Sequence, residues 1–406
     1  MNKETIAAVR FCSVEEARAL LLGNITSLTE ETDAHLSAAS GRVLARPALA
    51  AIDVPGADNS AMDGFVMRAA DLQAAAGSLP VSQRIHAGMA PKPLEPGSAA
   101  RIFTGAPIPN GGDTVVMQER CRESDGRVSV EGEVSSGGNI RRAGEDLRAG
   151  EEIVAAGTRL APQHLGLLAS TGVDQVPVVR RLKVATLATG DELVQPGQAL
   201  SAGQIYNSNE FVLSGMLERL GCELIEPIQV ADTVEATRAA LEKAAATADL
   251  IISSGGVSVG DADHVRDVVA ELGRLDLWKI AVKPGKPLAF GRVAETPFIG
   301  LPGNPVAVFV TFALFAAPLI RKLQGRDDLL PEPVRLPAGF GRERADRREE
   351  YVRVRWRDGR LERYPHQGSG VLSSVAWADG LARIPAGETF EPGEPVEYLS
   401  FNNLLW

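Results

Sequence analysis

The stretch Ile251 to Asp263 reads I-I-S-S-G-G-V-S-V-G-D-A-D and decides how the middle of the chain folds. An apolar run ends in serines and glycines, and Asp261 and Asp263 precede a helical pattern. Glycines let backbone N–H groups approach an oxyanion, a following helix N-terminus adds partial positive charge, and two carboxylates can hold Mg²⁺. The stretch predicts either an anion-binding loop or an ordinary glycine-rich turn between a strand and a helix.

Around this stretch, from about residue 181 to residue 323, β-like and helical patterns alternate. Strands are predicted over residues 182–186, 250–253, 277–282, 288–290 and 298–301. Helix starts are predicted at Asn207/Ser208, at Asp232 with Glu235 as a capping box, at Asp261 or Asp263, and at Asn304-Pro305. The alternation predicts a doubly wound α/β domain, in which ligands bind beyond the C-terminal ends of the strands.

The flanking regions have different patterns. Ser13 with Glu16 predicts a capping box that opens a short helix, ending near Gly23. Residues 46–148 are dense in glycine and proline and predict a small β-rich unit. A polar segment at 325–328 predicts a linker, and the hairpin turn Asp358-Gly359 belongs to a predicted C-terminal β-barrel or sandwich of about 75 residues.

Composition narrows the classes of function. The chain has 406 residues, enough for two to four domains, and its net charge of −10 argues against nonspecific binding to nucleic acid or acidic membrane. No signal peptide and no run of about 18 uninterrupted apolar residues is visible, so we expect a cytoplasmic protein. Three widely spaced cysteines and five scattered histidines indicate neither a disulfide framework nor a Cys/His metal site.

Acidic residues follow three predicted strands in turn. Thr189-Gly190-Asp191-Glu192 comes after the strand at 182–186, Asp261 and Asp263 come after the strand at 250–253, and Asp232 would follow a further strand between these two. The carboxyl ends of parallel strands meet at one edge of a sheet, so these acids could form a Mg²⁺ and phosphate site. Each of them could equally be a helix cap.

Basic residues cluster in the segment W-K-I-A-V-K-P-G-K-P, which contains Lys279, Lys283 and Lys286. Three lysines so close together repel one another unless an anion binds between them, so the segment predicts an anion site. The alternative is a loop whose lysines are simply solvated. Leu301-Pro302-Gly303-Asn304-Pro305 then places a rigid loop at a helix N-terminus, a second candidate oxyanion site.

Three polar, turn-rich motifs lie earlier in the chain. They are N-S-A-M-D-G at 59–64, T-G-A-P-I-P at 104–109 and R-R-A-G-E-D at 141–146. Each motif taken alone is either functional or explained without a function, by turn residues or by a solvated, salt-bridged loop.

Taken together, these motifs resemble those of the MoeA family, the molybdopterin molybdenumtransferases, which the E domain of gephyrin also represents. N-S-A-M-D-G, T-G-A-P-x-P, R-R-x-G-E-D, T-G-D-E-L, S-S-G-G-V-S-V-G-D-A-D, K-P-G-K-P and L-P-G-N-P occur here in the family's order, and the resemblance covers essentially the whole chain. It implies an N-terminal helix (1–25) packing with the α/β domain, an extended linking domain (26–49 and 145–179), a β-rich inserted domain (50–144), a molybdopterin-binding α/β domain similar to MogA and MoaB (180–328), and a C-terminal β-barrel (329–406).

The resemblance also implies a reaction and an assembly. Adenylylated molybdopterin and molybdate would give molybdenum cofactor and AMP, with Mg²⁺ assisting cleavage of the pyrophosphate bond. The protein would be a homodimer whose active site lies between subunits, with the α/β domain of one facing the N-S-A-M-D-G domain of the other. Transient contact with other proteins of molybdenum cofactor biosynthesis is expected, and nucleic acid or membrane binding is not.

Residue roles follow from the same resemblance. The catalytic polar groups would be Asp63, Thr104, Glu192, Asp232 and Asp263, of which Asp232, Asp263 and Glu192 are the metal candidates. Substrate would be bound by Ser254, Gly255, Gly256, Ser258, Lys279, Lys283, Lys286, Pro302, Pro305, Arg348 and Ser369. Lys283 and Lys286 would hold molybdate together with Arg348 and Ser369, although Arg347 competes with Arg348 for this assignment.

Two rival functions remain open. One is a molybdopterin adenylyltransferase, because a related α/β fold carries a similar glycine-rich loop; the extra domains and the K-P-G-K-P segment argue against it. The other is a non-enzymatic scaffold similar to gephyrin, against which the five acidic and hydroxyl residues at the family's positions weigh.

Overall fold

A computed structural model of the chain describes residues 10–225, 227–256, 264–285 and 287–405. The elements up to residue 179 are β1 (Arg10–Cys12), α1 (Val14–Gly23), β2 (Glu31–His35), a 3₁₀ turn (Leu36–Ala38), β3 (Ala48–Leu49), β4 (Asn59–Ser60), β5 (Gly64–Met67), α2 (Ala69–Ala74), β6 (Ser78–Ile85), β7 (Ala99–Ile102), β8 (Thr114–Met117), a 3₁₀ turn (Gln118–Arg120), β9 (Cys121–Ser124), β10 (Arg127–Val130), β11 (Ile140–Arg141), β12 (Glu152–Val154), α3 (Pro162–Ser170) and β13 (Gln175–Val179).

The predicted N-terminal helix and its capping box are confirmed. The Ser13 hydroxyl accepts from the Glu16 backbone N–H at 3.1 Å, and the Ser13 N–H donates to the Glu16 carboxylate at 2.9 Å. Both interactions satisfy backbone donors that an uncapped helix would leave unpaired. Helix α1 buries Ala17 and Leu21 in the largest hydrophobic core of the molecule.

The β-rich region between residues 59 and 141 is also confirmed. Six strands form a sheet in the order β8-β5-β7-β6-β10-β9, and β4 pairs with β11 beside it. The chain enters and leaves this region through two strand pairs, β3 with β12 and β2 with β13. A small core around Leu44 and Leu168 holds these pairs together with α3.

The α/β region contains β14 (Lys183–Thr189), β15 (Leu193–Val194), β16 (Ile205–Tyr206), α4 (Ser208–Arg219), β17 (Glu223–Leu224), β18 (Ile228–Val230), α5 (Val234–Thr247), β19 (Leu250–Ser254), α6 (His264–Leu272), β20 (Gly273–Ile280), β21 (Val282–Lys283), β22 (Pro287–Val293), β23 (Thr296–Leu301), α7 (Pro305–Thr311), a π-helical turn (Phe312–Ala316) and α8 (Ala317–Leu323).

Its sheet runs in the order β1-β20-β22-β23-β19-β14-β17, and β18 also pairs with β14. Residues alternate between two faces along β14. Val184 belongs to the core that contains residues of α1, α4 and the 305–323 helix, whereas Ala185 and Leu187 belong to the core that contains residues of α5 and α6. Helices on both faces make this the doubly wound layer that the sequence predicts. The sheet is mixed, since β22 runs antiparallel to both β20 and β23.

Two local predictions are corrected. The single strand predicted over 277–282 is two strands, because β20 stays in the α/β sheet while β21 pairs with a strand of the C-terminal region. The helix predicted to be capped by Asp232 is capped by Thr233, whose hydroxyl accepts from the Ala236 N–H at 3.2 Å. By contrast, Asn207 caps α4 as predicted.

The C-terminal region contains β24 (Val334–Pro337), β25 (Glu349–Arg357), β26 (Arg360–Arg363), α9 (Leu372–Trp377), β27 (Gly380–Ile384), β28 (Pro395–Ser400) and α10 (Phe401–Leu404). The sheet follows the path β25-β27-β28-β24, with β26 on the other side of β25. A bridge between Ala338 and Leu361 joins the β24 end to β26. The strands therefore close into a small barrel, as predicted.

Helices α7 and α8 and the π-helical turn between them form one helix through the main core. Pro305–Leu323 is the only helix in the described part of the chain that is long and apolar enough to cross a membrane, and 94% of its apolar window is buried inside the protein. Asn304 precedes Pro305 at its start, as predicted, although the Asn304 side chain makes no capping bond.

The prediction of a polar linker at 325–328 is wrong in one respect, because the segment is partly buried. Arg326 is only 3% exposed and forms an ion pair with Asp328. Nearby, the buried Arg321 donates to the carbonyl oxygens of Leu329 and Leu404. Because buried guanidinium groups need such partners, this segment is a packed junction between the α/β and barrel regions.

Candidate active site

A cleft of about 1050 Å³ lies between the C-terminal edge of the α/β sheet and the barrel. Both regions contribute walls to it, and the volume is that of a site for a small molecule. Its lining residues are Thr189, Glu192, Leu193, Ile205, Tyr206, Asn207, Ser208, Asn209, Ser254, Gly255, Gly256, Lys283, Pro284, Gly285, Pro287, Pro302, Gly303, Asn304, Pro305, Ala307, Arg348, Gln367, Gly368, Ser369 and Gly370.

The glycine-rich turn after β19 forms one wall. Gly255 and Gly256 have φ of +89° and +70°, a backbone conformation that favours glycine. A Cβ on Gly256 would also meet Val265 at 2.5 Å. The glycines are therefore required by the turn itself, and with Ser254 they line the cleft. The rest of the motif, including the predicted Ser258, Asp261 and Asp263, lies outside the described residues.

The T-G-D-E-L motif lies on the neighbouring strand end, beside the glycine-rich turn. Thr189 and Glu192 line the cleft, and the carbonyl of Glu192 accepts from the N–H of Ile205 at 2.8 Å. This bond ties the motif to β16 and to the start of α4. Asn209 then donates to the carbonyl of Gly303 at 2.8 Å, which joins α4 to the L-P-G-N-P loop.

Asp232 lies two residues beyond the end of β18 and is exposed. Its backbone N–H donates to the Asp191 carboxylate at 3.3 Å, so these two acids adjoin each other. Neither is a lining residue of the cleft, unlike Glu192. The described residues contain no group of three or more His, Cys, Asp or Glu side chains that could hold a metal ion.

The lysine motif divides between two sheets. Lys279 pairs with Pro287 and Phe11 inside the α/β sheet and is not a lining residue of the cleft, and its substrate-binding role stays a prediction. Lys283 does line the cleft, and its ammonium forms an ion pair with the Glu350 carboxylate at 2.9 Å. Lys286 lies outside the described residues.

The start of the 305–323 helix forms the floor between the two regions. Pro302 and Pro305 line the cleft as predicted. The Val306 N–H, however, donates to the carbonyl of Ser369 at 3.0 Å. One backbone donor of this helix N-terminus is therefore already engaged by the barrel, and Ser369 also lines the cleft.

Arg348 supplies the second basic side chain of the cleft wall, and Arg347 is not a lining residue. The Arg348 guanidinium donates to the Asp346 carboxylate at 3.3 Å and 3.1 Å. That hydrogen bond lowers the pKa of Asp346, so the carboxylate stays charged beside the guanidinium. The neighbouring loop at 367–370 also lines the cleft. The buried Arg353 holds this loop by donating to the carbonyl of Gly368 at 3.2 Å.

The three N-terminal motifs meet on one surface, which we call the Asp63 surface (residues 58–63, 104–107 and 141–146). The Ser60 N–H donates to the carbonyl of Ala106, and β4 pairs with β11. The Asp63 carboxylate accepts from the N–H and hydroxyl of Thr104 at 2.8 Å and 2.9 Å. Both hydrogen bonds lower the pKa of Asp63, and the one from the backbone N–H has the larger effect. No residue of this surface lines the cleft of the same chain.

Several lining residues were not predicted to bind substrate. The main group is 205–209, of which the sequence assigns Asn207/Ser208 only a capping role, and the second is Gln367 with the nearby Gly368 and Gly370. The first group begins with the two-residue strand β16, which is too short to give a periodic signal. In the second, the small residues Gly368 and Gly370 around Ser369 were the available sequence signal.

Comparisons with known proteins agree along the whole chain. Three family models match: the MoeA N-terminal region (domains I and II) over residues 12–172, a probable molybdopterin binding domain over 185–322, and the MoeA C-terminal region (domain IV) over 335–401. A molybdopterin molybdenumtransferase of Haemophilus influenzae is 38% identical over 97% of this chain and 99% of its own. One from Nostoc is 39% identical over 93% and 91%. The crystal structure of a molybdopterin biosynthesis MoeA protein from Pyrococcus horikoshii superposes with a TM-score of 0.84, 28% identity, and coverage of 97% and 100%.

Proposed function

This chain belongs to the MoeA family, and from that premise we propose that it is a molybdopterin molybdenumtransferase, which inserts molybdenum into molybdopterin during molybdenum cofactor synthesis. The observation that carries the proposal is the cleft itself. A glycine-rich turn, Lys283 and the Glu192 carboxylate come there from separate family motifs, and Arg348 joins them from the barrel. Such a set can hold an oxyanion and a phosphorylated ligand in one cavity.

The substrate we propose is adenylylated molybdopterin together with molybdate, and the products are molybdenum cofactor and AMP. Molybdate is a tetrahedral dianion, which suits the charge-assisted donors of Lys283 and Arg348 and the hydroxyl of Ser369. Lys286 would complete this set. Within the turn 254–256, the Gly255 N–H already donates to the carbonyl of Leu301 at 3.0 Å. The Gly256 N–H, with Ser258, would therefore approach a phosphate. The sulfur ligands of molybdenum belong to the pterin, so the protein itself needs no cysteine at the site.

Mg²⁺ is the metal that fits these donors, because the acids at this sheet edge offer hard oxygen ligands. Mg²⁺ commonly takes only one or two protein carboxylates, with water and substrate phosphate completing its shell. The described residues contain no cluster of three or more possible metal ligands, which is compatible with a Mg²⁺ ion held by one or two carboxylates. Glu192 and Asp232, with Asp263, would hold the ion, which would neutralise charge on the pyrophosphate group.

The assembly we propose is a homodimer in which the Asp63 surface of one chain faces the cleft of the other. The support is that Asp63 and Thr104 belong to the family's motifs yet stand apart from the cleft of their own chain. Asp63 is exposed, and two hydrogen bonds from Thr104 already fix the carboxylate. A second chain would bring this fixed carboxylate to the cavity. We further propose a cytoplasmic location and transient docking of other cofactor-synthesis proteins.

The deciding experiment is to incubate the full-length protein with adenylylated molybdopterin, molybdate and Mg²⁺ and to measure AMP release together with active cofactor, the latter by reconstitution of a cofactor-free molybdoenzyme. We expect both products to depend on molybdate. ATP consumption with release of pyrophosphate from unadenylylated molybdopterin would instead identify an adenylyltransferase. Binding of substrate without either product would identify a scaffold.

A further inference from the structure

Both basic side chains that line the cleft in the described part of the chain are paired with carboxylates of the barrel. Lys283 pairs with Glu350 at 2.9 Å, and Arg348 pairs with Asp346 at 3.1 Å. The lysine belongs to the α/β region by sequence, yet its partner lies 67 residues further along the chain, on β25. Its ammonium is thus tied to the barrel.

Strand register explains how Lys283 and Glu350 meet. The two-residue strand β21 leaves the α/β sheet and pairs in parallel with β25, so that Val282 lies opposite Glu349 and Lys283 opposite Glu350. The N–H of Glu349 donates to the carbonyl of Ala281 at 2.8 Å and closes this pairing. The segment that carries Lys283 is therefore an extra strand of the barrel sheet.

Glu350 is itself held in place. Its side chain is only 17% exposed, compared with 40% for Lys283. The second carboxylate oxygen lies 3.8 Å from the Arg342 guanidinium, whose side chain is 11% exposed. Glu350 is thus the ordered member of the pair, and Lys283 is the longer and more exposed one.

We infer that Glu350 is a positioning residue, which fixes the Lys283 ammonium at the cleft wall before the oxyanion binds. This inference rests on the proposed function of the cleft. An ammonium group has three N–H donors, so one can serve Glu350 while the others face the cavity. A lysine whose rotamer is fixed in advance loses less conformational entropy when it binds an anion.

The carboxylate could also have the opposite effect, because its negative charge repels a dianion. Glu350→Gln and Glu350→Ala separate the two effects. Glutamine keeps a side-chain oxygen that can accept from Lys283 but removes the charge, whereas alanine removes both. Positioning is therefore expected to survive in Glu350→Gln and to be lost in Glu350→Ala.

The test measures molybdate binding to the full-length protein by calorimetry, alongside the molybdate dependence of AMP release. We expect Glu350→Ala to raise the dissociation constant and the half-saturating molybdate concentration about tenfold, with the maximal rate nearly unchanged. Glu350→Gln should stay within about threefold of the wild type on both measures. In a Lys283→Ala background, Glu350→Ala should add nothing, because the residue acts through the lysine.

Glu397 provides the matched control. It lies on β28 of the same barrel, pairs with Arg383 at 2.8 Å and does not line the cleft. Glu397→Ala should leave molybdate binding unchanged, which separates positioning from general loss of a barrel ion pair.

Three results would overturn the inference. Tighter molybdate binding in both Glu350 variants would show that the charge opposes the anion. An unchanged dissociation constant with a lower melting temperature would reduce Glu350 to holding β21 and β25 together. A wild-type protein that binds no molybdate would remove the role altogether. Calorimetry keeps this test distinct from the proposed function, since binding can be measured even if no AMP is released.

Discussion

The cleft and the Asp63 surface are both built from family motifs, but within one chain the first is a cavity and the second is an exposed surface. The cleft has walls from two regions of the molecule and a volume of about 1050 Å³. The Asp63 surface has a carboxylate already fixed by Thr104, but none of its residues reaches that cavity. The described residues thus form a pocket in one place and hold a preorganised acid in another, which is the arrangement expected if two chains share a site.

The largest test of this comparison is complementation. We expect Asp63→Ala and Glu192→Ala each to lower molybdate-dependent AMP release by a factor on the order of 10² or more. Mixed dimers would carry one site with both defects and one with neither. Random exchange makes half of the dimers mixed, so the mixture should recover about a quarter of wild-type activity.

The measurement is AMP release after subunit exchange, with exchange itself verified by two affinity tags. Each variant mixed with itself serves as the control and should stay inactive. Verified exchange without recovery would place Asp63 and Glu192 in the site of one chain and end the cross-subunit model.

The next test concerns the two lysines that the structure separates. Lys283→Ala should raise the half-saturating molybdate concentration by roughly 10- to 100-fold, because one charge-assisted contact contributes about 1.5–3 kcal/mol. Lys279→Ala is the matched control, since Lys279 lies four positions earlier but outside the cleft. Steady-state kinetics over a molybdate titration would decide it, and equal effects of the two substitutions would contradict the division between sheets.

A smaller effect is expected from two glycines of the cleft. Gly256 has φ of +70° and a Cβ there would meet Val265 at 2.5 Å, whereas the nearest contact of a Cβ on Gly303 would be 3.9 Å. Gly256→Ala should therefore lower the free energy of unfolding by roughly 1–3 kcal/mol. Gly303→Ala should change it by less than about 0.5 kcal/mol. Urea unfolding of both variants measures this, and equal stability would mean that the turn relaxes without strain.

The smallest effect concerns Asp63. Two donors from Thr104 lower the pKa of Asp63, so the carboxylate stabilises the fold above its unfolded pKa of about 3.9 and loses that contribution as pH falls through the lower folded value. Thr104→Val removes the hydroxyl and keeps the N–H, and should raise the pKa of Asp63 part of the way back. Carboxyl-carbon NMR of aspartate-labelled protein follows this titration. An unchanged pKa would mean that the backbone N–H alone sets it.

The sequence by itself determined the local features of this protein. The Ser13 capping box, the Asn207 cap and the glycine-rich turn at 255–256 were predictable because each depends on residues within a few positions of one another. The order of strands and helices predicted the doubly wound layer, and the order of the motifs identified the family. Thr233, adjacent to the predicted Asp232, shows the usual one-residue limit of such predictions.

The tertiary structure alone decided which of these features meet. Lys279 and Lys283 are four residues apart, yet β20 stays in one sheet and β21 joins another, so only Lys283 reaches the cleft. Ser369 and Gln367 line the same cavity from the barrel, and Glu350 acts there only through its ion pair with Lys283. Contacts between residues so distant along the chain depend on strand register and on how two cores pack, and no local pattern of residues specifies either of these.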